Sequence, residues 1–189
     1  MPTVMTHTFV AGAAGLAFAP KSRPARFWVL SALCSMIPDA DVVGLVFGIP
    51  YGHPFGHRGF FHSPFFGLLL GMVVVLLFFR DVKFLSRRRV LLALYFSCLT
   101  ASHGILDAFT NGGLGIALLA PLDHDRYFFP WAPIVVSPIG IRAMFSTWGL
   151  RVMVSEAQWI WLPSVMVVIA SMLVRSRLAA SKPSAPDFS

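Results

Sequence analysis

The chain has 189 residues, of which 57% are hydrophobic and 12% charged, with 15 Lys plus Arg against 8 Asp plus Glu and a formal net charge of +7. Its charged fraction is about half the ~25% usual for soluble domains, and a mean hydropathy of +0.74 leaves too few polar side chains to cover a water-facing surface. A disordered chain, a collagenous one and a disulfide scaffold are excluded, and the class that remains is an all-α, polytopic membrane bundle.

Five helical segments are predicted. The first runs from about Thr3 to Ala19, and its small residues Ala11, Gly12, Ala13, Ala14 and Gly15 suit close helix packing. Its end, Ala17-Phe18-Ala19, fits a signal-peptide cleavage pattern. No Lys or Arg precedes the apolar stretch, however, and the cations follow it, so the reading is a retained span. Phe27 to Ile37 is the second segment, stopped by Pro38. The third is Pro64 to Phe79, with Ser63 as N-cap and Pro64 at the first helical position. Val90 to Phe109 is the fourth and Gln158 to Val174 the fifth, with a kink at Pro163. Asn111 to Ala157 resists assignment, and an interfacial or re-entrant helix is expected there. Residues 1–178 thus form one membrane domain, and 179–189 a polar, disordered cytoplasmic tail.

The basic residues sit on alternate loops: Lys21, Arg23 and Arg26; Arg80, Lys83, Arg87, Arg88 and Arg89; Arg175, Arg177 and Lys182. The positive-inside tendency places these loops in the cytoplasm of a prokaryotic inner membrane, with the N-terminus outside and the C-terminus inside. Trp131, Trp148, Trp159 and Trp161 then fall on the outer side, as an aromatic belt would. Short basic clusters between apolar runs are not the polar, solvated face that DNA or RNA requires, so no nucleic-acid partner is expected. Cys34 and Cys98 lie inside apolar runs without metal or redox spacing and read as packing residues.

In so apolar a chain the ionisable residues near helix ends carry the information. They are His7; Asp39 and Asp41 in Pro38-Asp39-Ala40-Asp41; His57, Arg58 and His62 in His57-Arg58-Gly59-Phe60-Phe61-His62-Ser63; and His103 with Asp107. At 1.5 Å per residue, His7, Asp39 and His103 lie roughly 20 Å above their basic loops, and His62 and Asp107 about 27 Å. Imidazoles and carboxylates from four helices therefore reach a similar depth, near the outer interface. His103 and Asp107, four apart, share one helix face. Taken singly each has a plainer role: a histidine satisfied by a carbonyl, a polar turn after a helix, or a His–Asp bond bracing the bundle.

As a set they suit zinc, manganese or iron, one or two ions per chain, with His7, Asp39, His57, His62, His103 and Asp107 as ligands. Asp41 is the candidate base, or the partner that orients a ligand histidine. Arg58 and Arg126 are candidate anion clamps, since guanidinium matches phosphate, with headgroup contact as the plainer role of both. Metal-assisted hydrolysis near the outer leaflet is the leading function, with membrane lipids as surroundings and a lipid-like substrate. A metal or proton transporter using the same residues is the alternative, although the cytoplasmic halves of the spans are almost wholly apolar. A haem protein is a further rival, and the clustered carboxylates argue against it.

These residues resemble the YdjM-like family of inner-membrane metal-dependent hydrolases. The resemblance rests on Thr6-His7, Pro38-Asp39-x-Asp41, His57-Arg58-Gly59-x-x-His62-Ser63, His103-x-x-x-Asp107-x-x-Thr110-x-Gly112 and Arg126-Tyr127-Phe128-Phe129-Pro130-Trp131, in order over about residues 3–140. It implies an α-helical membrane hydrolase acting on phospholipids. The ligand order is also similar to that of soluble zinc-dependent phospholipases C, but the later HxxxE pair of those enzymes has no counterpart here.

Overall fold

In lipid, backbone N–H and C=O groups find no water, so an apolar run must satisfy them within itself, and it does so as a helix. The computed structural model describes residues 1–18, 23–138 and 141–181, and among these the apolar runs form five helical rods. Three are long and apolar enough to cross a membrane: Ala25–Val46, Arg87–Ala108 and Thr147–Ala180. Val4–Phe18 (α1) and Pro64–Phe78 (α4) are shorter, at 15 residues each.

The second rod does not stop at Pro38. It is α2 (Ala25–Met36), a 3₁₀ stretch Ile37–Val42 and a short α3 (Val43–Val46). Pro38 falls in the first turn of the 3₁₀ stretch, where its missing N–H and fixed φ do no harm. Ser63 caps α4 as its sequence predicts, its hydroxyl accepting from Phe66 N at 3.1 Å. Ser86 does the same for Arg89 N at 3.3 Å, so α5 (Arg87–Ala108) begins three residues before the expected Val90.

The last rod is longer than the expected Gln158–Val174. It comprises α6 (Thr147–Glu156), a π-helical turn Ala157–Trp161 and α7 (Leu162–Ala180). Pro163 cannot donate back along the helix, and the wide π turn just before it absorbs the missing bond. Residues 179 and 180 are therefore helical. The rest of the predicted tail beyond Ser181, with Lys182, lies outside the described residues, as do Ala19 and Lys21.

Small residues set the helix contacts. Gly67 and Gly71 of α4 lie against Ser97 and Ala101 of α5 with no room for a Cβ, and Gly15 of α1 lies under the Trp28 ring of α2. Phe18, Phe27, Phe79, Tyr95 and Phe96 stack into the core between α1, α2, α4 and α5. Charge separates along the bundle. Arg26 pairs with Asp81 at 2.6 Å and Arg175 binds the carbonyls of Leu16 and Ala17, which brings the start of α2, the α4–α5 loop and the ends of α1 and α7 to one end, where Arg23, Arg80 and Arg87–Arg89 flank the same helix ends. The opposite end holds the first turn of α1, the 3₁₀ stretch after α2 and the last turns of α5. An irregular strap, residues 109–138, covers that end through isolated bridges Thr110–Ile134 and Ile116–Tyr127.

Candidate metal centre

Each ionisable residue at this end is delivered by a local feature of the chain. In the 3₁₀ stretch the threefold period sets Asp39 and Asp41 roughly 120° apart, so they reach the same centre from two sides. The loop from Tyr51 to Ser63 is compacted where Gly56 and Gly59 pass against the carbonyls of Pro50 and Pro54, positions that would not admit a Cβ. Arg58 between them is forced to φ +66°, a left-handed conformation uncommon for a non-glycine residue. It is held there by Arg58 N donating to Asp41 Oδ2 at 3.2 Å and Arg58 O accepting from Ala117 N at 3.1 Å. On α5, Gly104 lets the His62 carbonyl approach the helix backbone beside His103.

The side chains converge. Asp39 Oδ1 lies 3.3 Å from His103 Nε2 and 3.5 Å from His62 Nε2. His62 Nε2 is 3.5 Å and His103 Nε2 4.0 Å from Asp107 Oδ2, and His7 Nε2 is 3.4 Å from Asp107 Oδ1. The four ligand atoms of Asp39, His62, His103 and Asp107 all lie within 4.8 Å of one another. Most of these separations exceed the 2.7–3.2 Å of an N–H···O bond. The three contacts of 3.3–3.5 Å among Asp39, His62, His103 and Asp107 are close to the ~3.3–3.4 Å edge of a tetrahedron whose corners sit about 2.0–2.1 Å from a central ion, while His103 to Asp107 is wider at 4.0 Å.

Hydrogen bonding tells the same story. His7 Nε2, both oxygens of Asp39, both oxygens of Asp107, both nitrogens of His62 and His103 Nε2 are buried without a hydrogen-bond partner, as is Arg58 Nε. Leaving one buried polar group unsatisfied costs about 1–3 kcal/mol and more for a charged one, so such a concentration is not a packing accident. The donor set, imidazole nitrogen and carboxylate oxygen, fits a borderline divalent ion.

Around this set stands a layer of orienting contacts. His103 Nδ1 donates to the Ser35 carbonyl at 2.7 Å, which leaves the lone pair of Nε2 facing the centre. Asp41 Oδ1 accepts from His57 Nδ1 at 2.6 Å, and Asp41 Oδ2 lies 3.1 Å from His62 Nδ1. His62 is pulled both ways. Burial disfavours its imidazolium, but the carboxylates of Asp39 and Asp41 outweigh that and raise its pKa to about 9.

The two candidate anion clamps are placed differently. Arg58 is fully buried, NH1 donating to Gly112 O at 2.6 Å and NH2 to Thr110 Oγ1 at 3.2 Å, with Nε 3.8 Å from Asp107 Oδ2. Arg126 lies outside the cluster. Its guanidinium donates to the carbonyls of His57 (2.8 Å), Tyr51 (2.9 Å) and His53 (3.2 Å), closing the loop that carries His57.

The sequence profile of the family described as "YdjM inner membrane protein" matches residues 1–180. The chain belongs to the YdjM family. It is 35% identical over 168 residues to inner membrane protein YbcI of Escherichia coli (strain K12), a match that covers 89% of this chain and 95% of that one. No solved structure matches the chain. Family membership and the apolar helices together make this a protein of the inner membrane.

Across this family member the structure also draws in residues the sequence reading passes over. Glu156, the chain's one glutamate, is fully buried and accepts from Thr3 N and Thr6 Oγ1, each at 2.5 Å, and from Thr3 Oγ1 at 2.7 Å. Trp161 Nε1 donates to Thr6 Oγ1 at 2.7 Å. Glu156 and Trp161 thereby anchor the first turn of α1, and with it His7. The signal that singles out the other ionisable residues, a charge in an apolar stretch, applies to Glu156 too.

Proposed function

We propose that this protein is a membrane-embedded hydrolase that holds one divalent metal ion, zinc first among the candidates, and cleaves a phosphoester in a lipid-like substrate. The observation that carries the proposal is the convergence of Asp39, His62, His103 and Asp107, unpartnered and spaced as ligands are around an ion. Charge supports a single ion. Three buried carboxylates, Asp39, Asp41 and Asp107, face one buried guanidinium, Arg58, which leaves two negative charges to balance. His7, stacked on His103 at a centroid distance of 3.7 Å, is the fifth donor.

A bound ion supplies Lewis acidity, making a water acidic and polarising the phosphoryl oxygen. The chain's own residues do the rest. Asp41 holds the Nδ1 proton of His57, which leaves Nε2 of His57 as the acceptor for the water's proton. The water's oxygen bonds to phosphorus, the P–O bond to the alcohol breaks, and His57 returns the proton to the departing oxygen. Asp41 thus acts through His57 while also orienting His62. Arg58 and Arg126 hold carbonyls and shape the site.

A cavity of about 370 Å³, lined by Ile37, Ala40, Gly44, Ile49, Phe55, Phe61 and Phe66 with Asp41 in its wall, takes the apolar part of the substrate. With the basic end in the cytoplasm, the reaction faces the outer leaflet.

The test is elemental analysis of detergent-purified protein beside His103→Ala and Asp39→Ala, followed by phosphate release from phosphatidic acid in mixed micelles. One equivalent of metal, lost in both variants together with turnover, is the expected result. Wild type without metal after reconstitution would overturn the metal site. Metal without phosphate release from phosphatidic acid would overturn the phosphoester reading.

A further inference from the structure

At the basic end, far from the His/Asp cluster, α4 and α5 part around the short loop that joins them. A cavity of about 240 Å³ opens there, walled by Met72 and Leu76 of α4 and by Val90 and Ala93 of α5, with Phe84 of the loop above. Its charged wall is Arg89. That guanidinium is fixed rather than free to sweep the surface. NH1 donates to the Val82 carbonyl at 2.9 Å, and the group lies 5.4 Å from the centre of the Phe84 ring. Leu85, at φ +57°, pins the loop in the turn that presents Phe84.

Charge around the cavity is of one sign. Arg80, Lys83, Arg87 and Arg88 are exposed beside it, and the loop's acid, Asp81, is already bound to Arg26 at 2.6 Å. Met72, Leu76 and Val90 are exposed apolar residues on membrane rods, so the medium at the mouth of this groove is the bilayer. An apolar slot that ends in uncompensated cations at a helix end is complementary to a molecule with a hydrocarbon chain and an anionic head.

We propose that this groove binds an anionic phospholipid, one acyl chain lying along Met72, Leu76, Val90 and Ala93 and the phosphate meeting Arg89 and its basic neighbours. The site is separate from the metal centre and does not depend on how that centre is used. A zwitterionic phospholipid fits the slot but leaves the cations unmatched, whereas free phosphate matches them but leaves the slot unfilled.

The experiment is native mass spectrometry of the full chain released from detergent after equilibration with phosphatidylglycerol, phosphatidylcholine or inorganic phosphate. Wild type is expected to retain phosphatidylglycerol at least about fivefold better than phosphatidylcholine, the ratio that one surface cation contributes. Arg89→Gln should lower the preference about fivefold, Arg89→Lys should keep most of it, and Ala93→Trp, which fills the slot, should lower retention of both lipids. Unchanged helical circular dichroism and melting temperature in each variant control for folding. Equal retention of the two lipids by wild type would overturn the proposal, as would a preference that survives both Arg89→Gln and Ala93→Trp. Displacement of phosphatidylglycerol by millimolar phosphate would overturn the acyl-chain part.

Discussion

His103 Nδ1 donates to the backbone carbonyl of Ser35 at 2.7 Å, a bond that crosses from α5 to the last turn of α2. Carbonyls at a helix end lack an intrahelical donor, and this one lacks it for a definite reason. The residue three further on is Pro38, which has no N–H to give. A proline that reads as a helix stop therefore also frees the acceptor that sets the tautomer of a ligand histidine. Pro38→Ala restores a competing donor. The expected outcome is a folded protein whose metal affinity falls about tenfold, the scale of lost outer-shell contacts, read by competition with a chelator.

Asp41 touches two histidines, and the proposed chemistry gives each contact a different weight. Asp41→Asn should weaken metal binding about 10–100-fold through His62. His57→Ala should leave metal content near wild type and remove turnover, because His57 is assigned the proton and not the ion. Metal analysis and phosphate release on the two variants separate the roles. Loss of metal in His57→Ala would place that residue among the ligands instead.

Much of this was legible in the residues, for one physical reason. Charges and imidazoles are expensive inside a bilayer, so His7, Asp39, Asp41, His57, Arg58, His62, His103 and Asp107 stand out of an apolar chain, and helix rise brings His7, Asp39, His62, His103 and Asp107 to a similar depth. What was not legible depends on backbone partners. Arg126 looks the same in sequence whether it meets a phosphate or three carbonyls. The Ser35 carbonyl carries no side-chain signature at all. The rod through Pro38 and the π turn before Pro163 were hidden too, since a proline marks a missing donor without saying how the helix copes with it. The strap over the site is held by single bridges and lone hydrogen bonds, which leave no periodic pattern to read.

Gly104 tests whether the centre depends on close backbone approach. A Cβ there would collide with the His62 carbonyl, whereas Gly12 has nothing within 4 Å of the same position. Gly104→Ala is expected to cost about 1–3 kcal/mol, the range for overpacking, and to displace a ligand histidine. Gly12→Ala should be neutral or slightly stabilising. Thermal unfolding in detergent, with metal content measured alongside, distinguishes them. Equal behaviour of the two variants would mean that α5 and the His62 turn can part without consequence.

Glu156 bears on His7 from outside the cluster. Glu156→Ala strands donors on Thr3 and Thr6 at the start of α1, each worth about 1–3 kcal/mol when left unsatisfied and buried. A markedly lower melting temperature is expected. Glu156→Gln should fall between, since it keeps one acceptor oxygen and the two hydroxyls can turn to accept from its amide. Thr3 N, which can only donate, is the contact to which the variant is most sensitive.

Acidity supplies the last test, and its sign follows from the ligands. An imidazole binds a metal only when neutral, and the carboxylates of Asp39 and Asp41 raise the His62 pKa to about 9 in the ion-free protein. Below that pH His62 carries a proton that the metal must expel, so affinity should fall by about tenfold for each unit of acidification from pH 9. The fall should steepen in acid as further ligands protonate. At pH 7 metal uptake should release about one proton from this residue, measurable by titration calorimetry in buffers of different ionisation enthalpy. Asp41→Asn removes one of the two carboxylates that hold the proton, so its release at pH 7 should be smaller. Metal affinity that stayed flat between pH 9 and pH 6 would exclude His62 as a ligand.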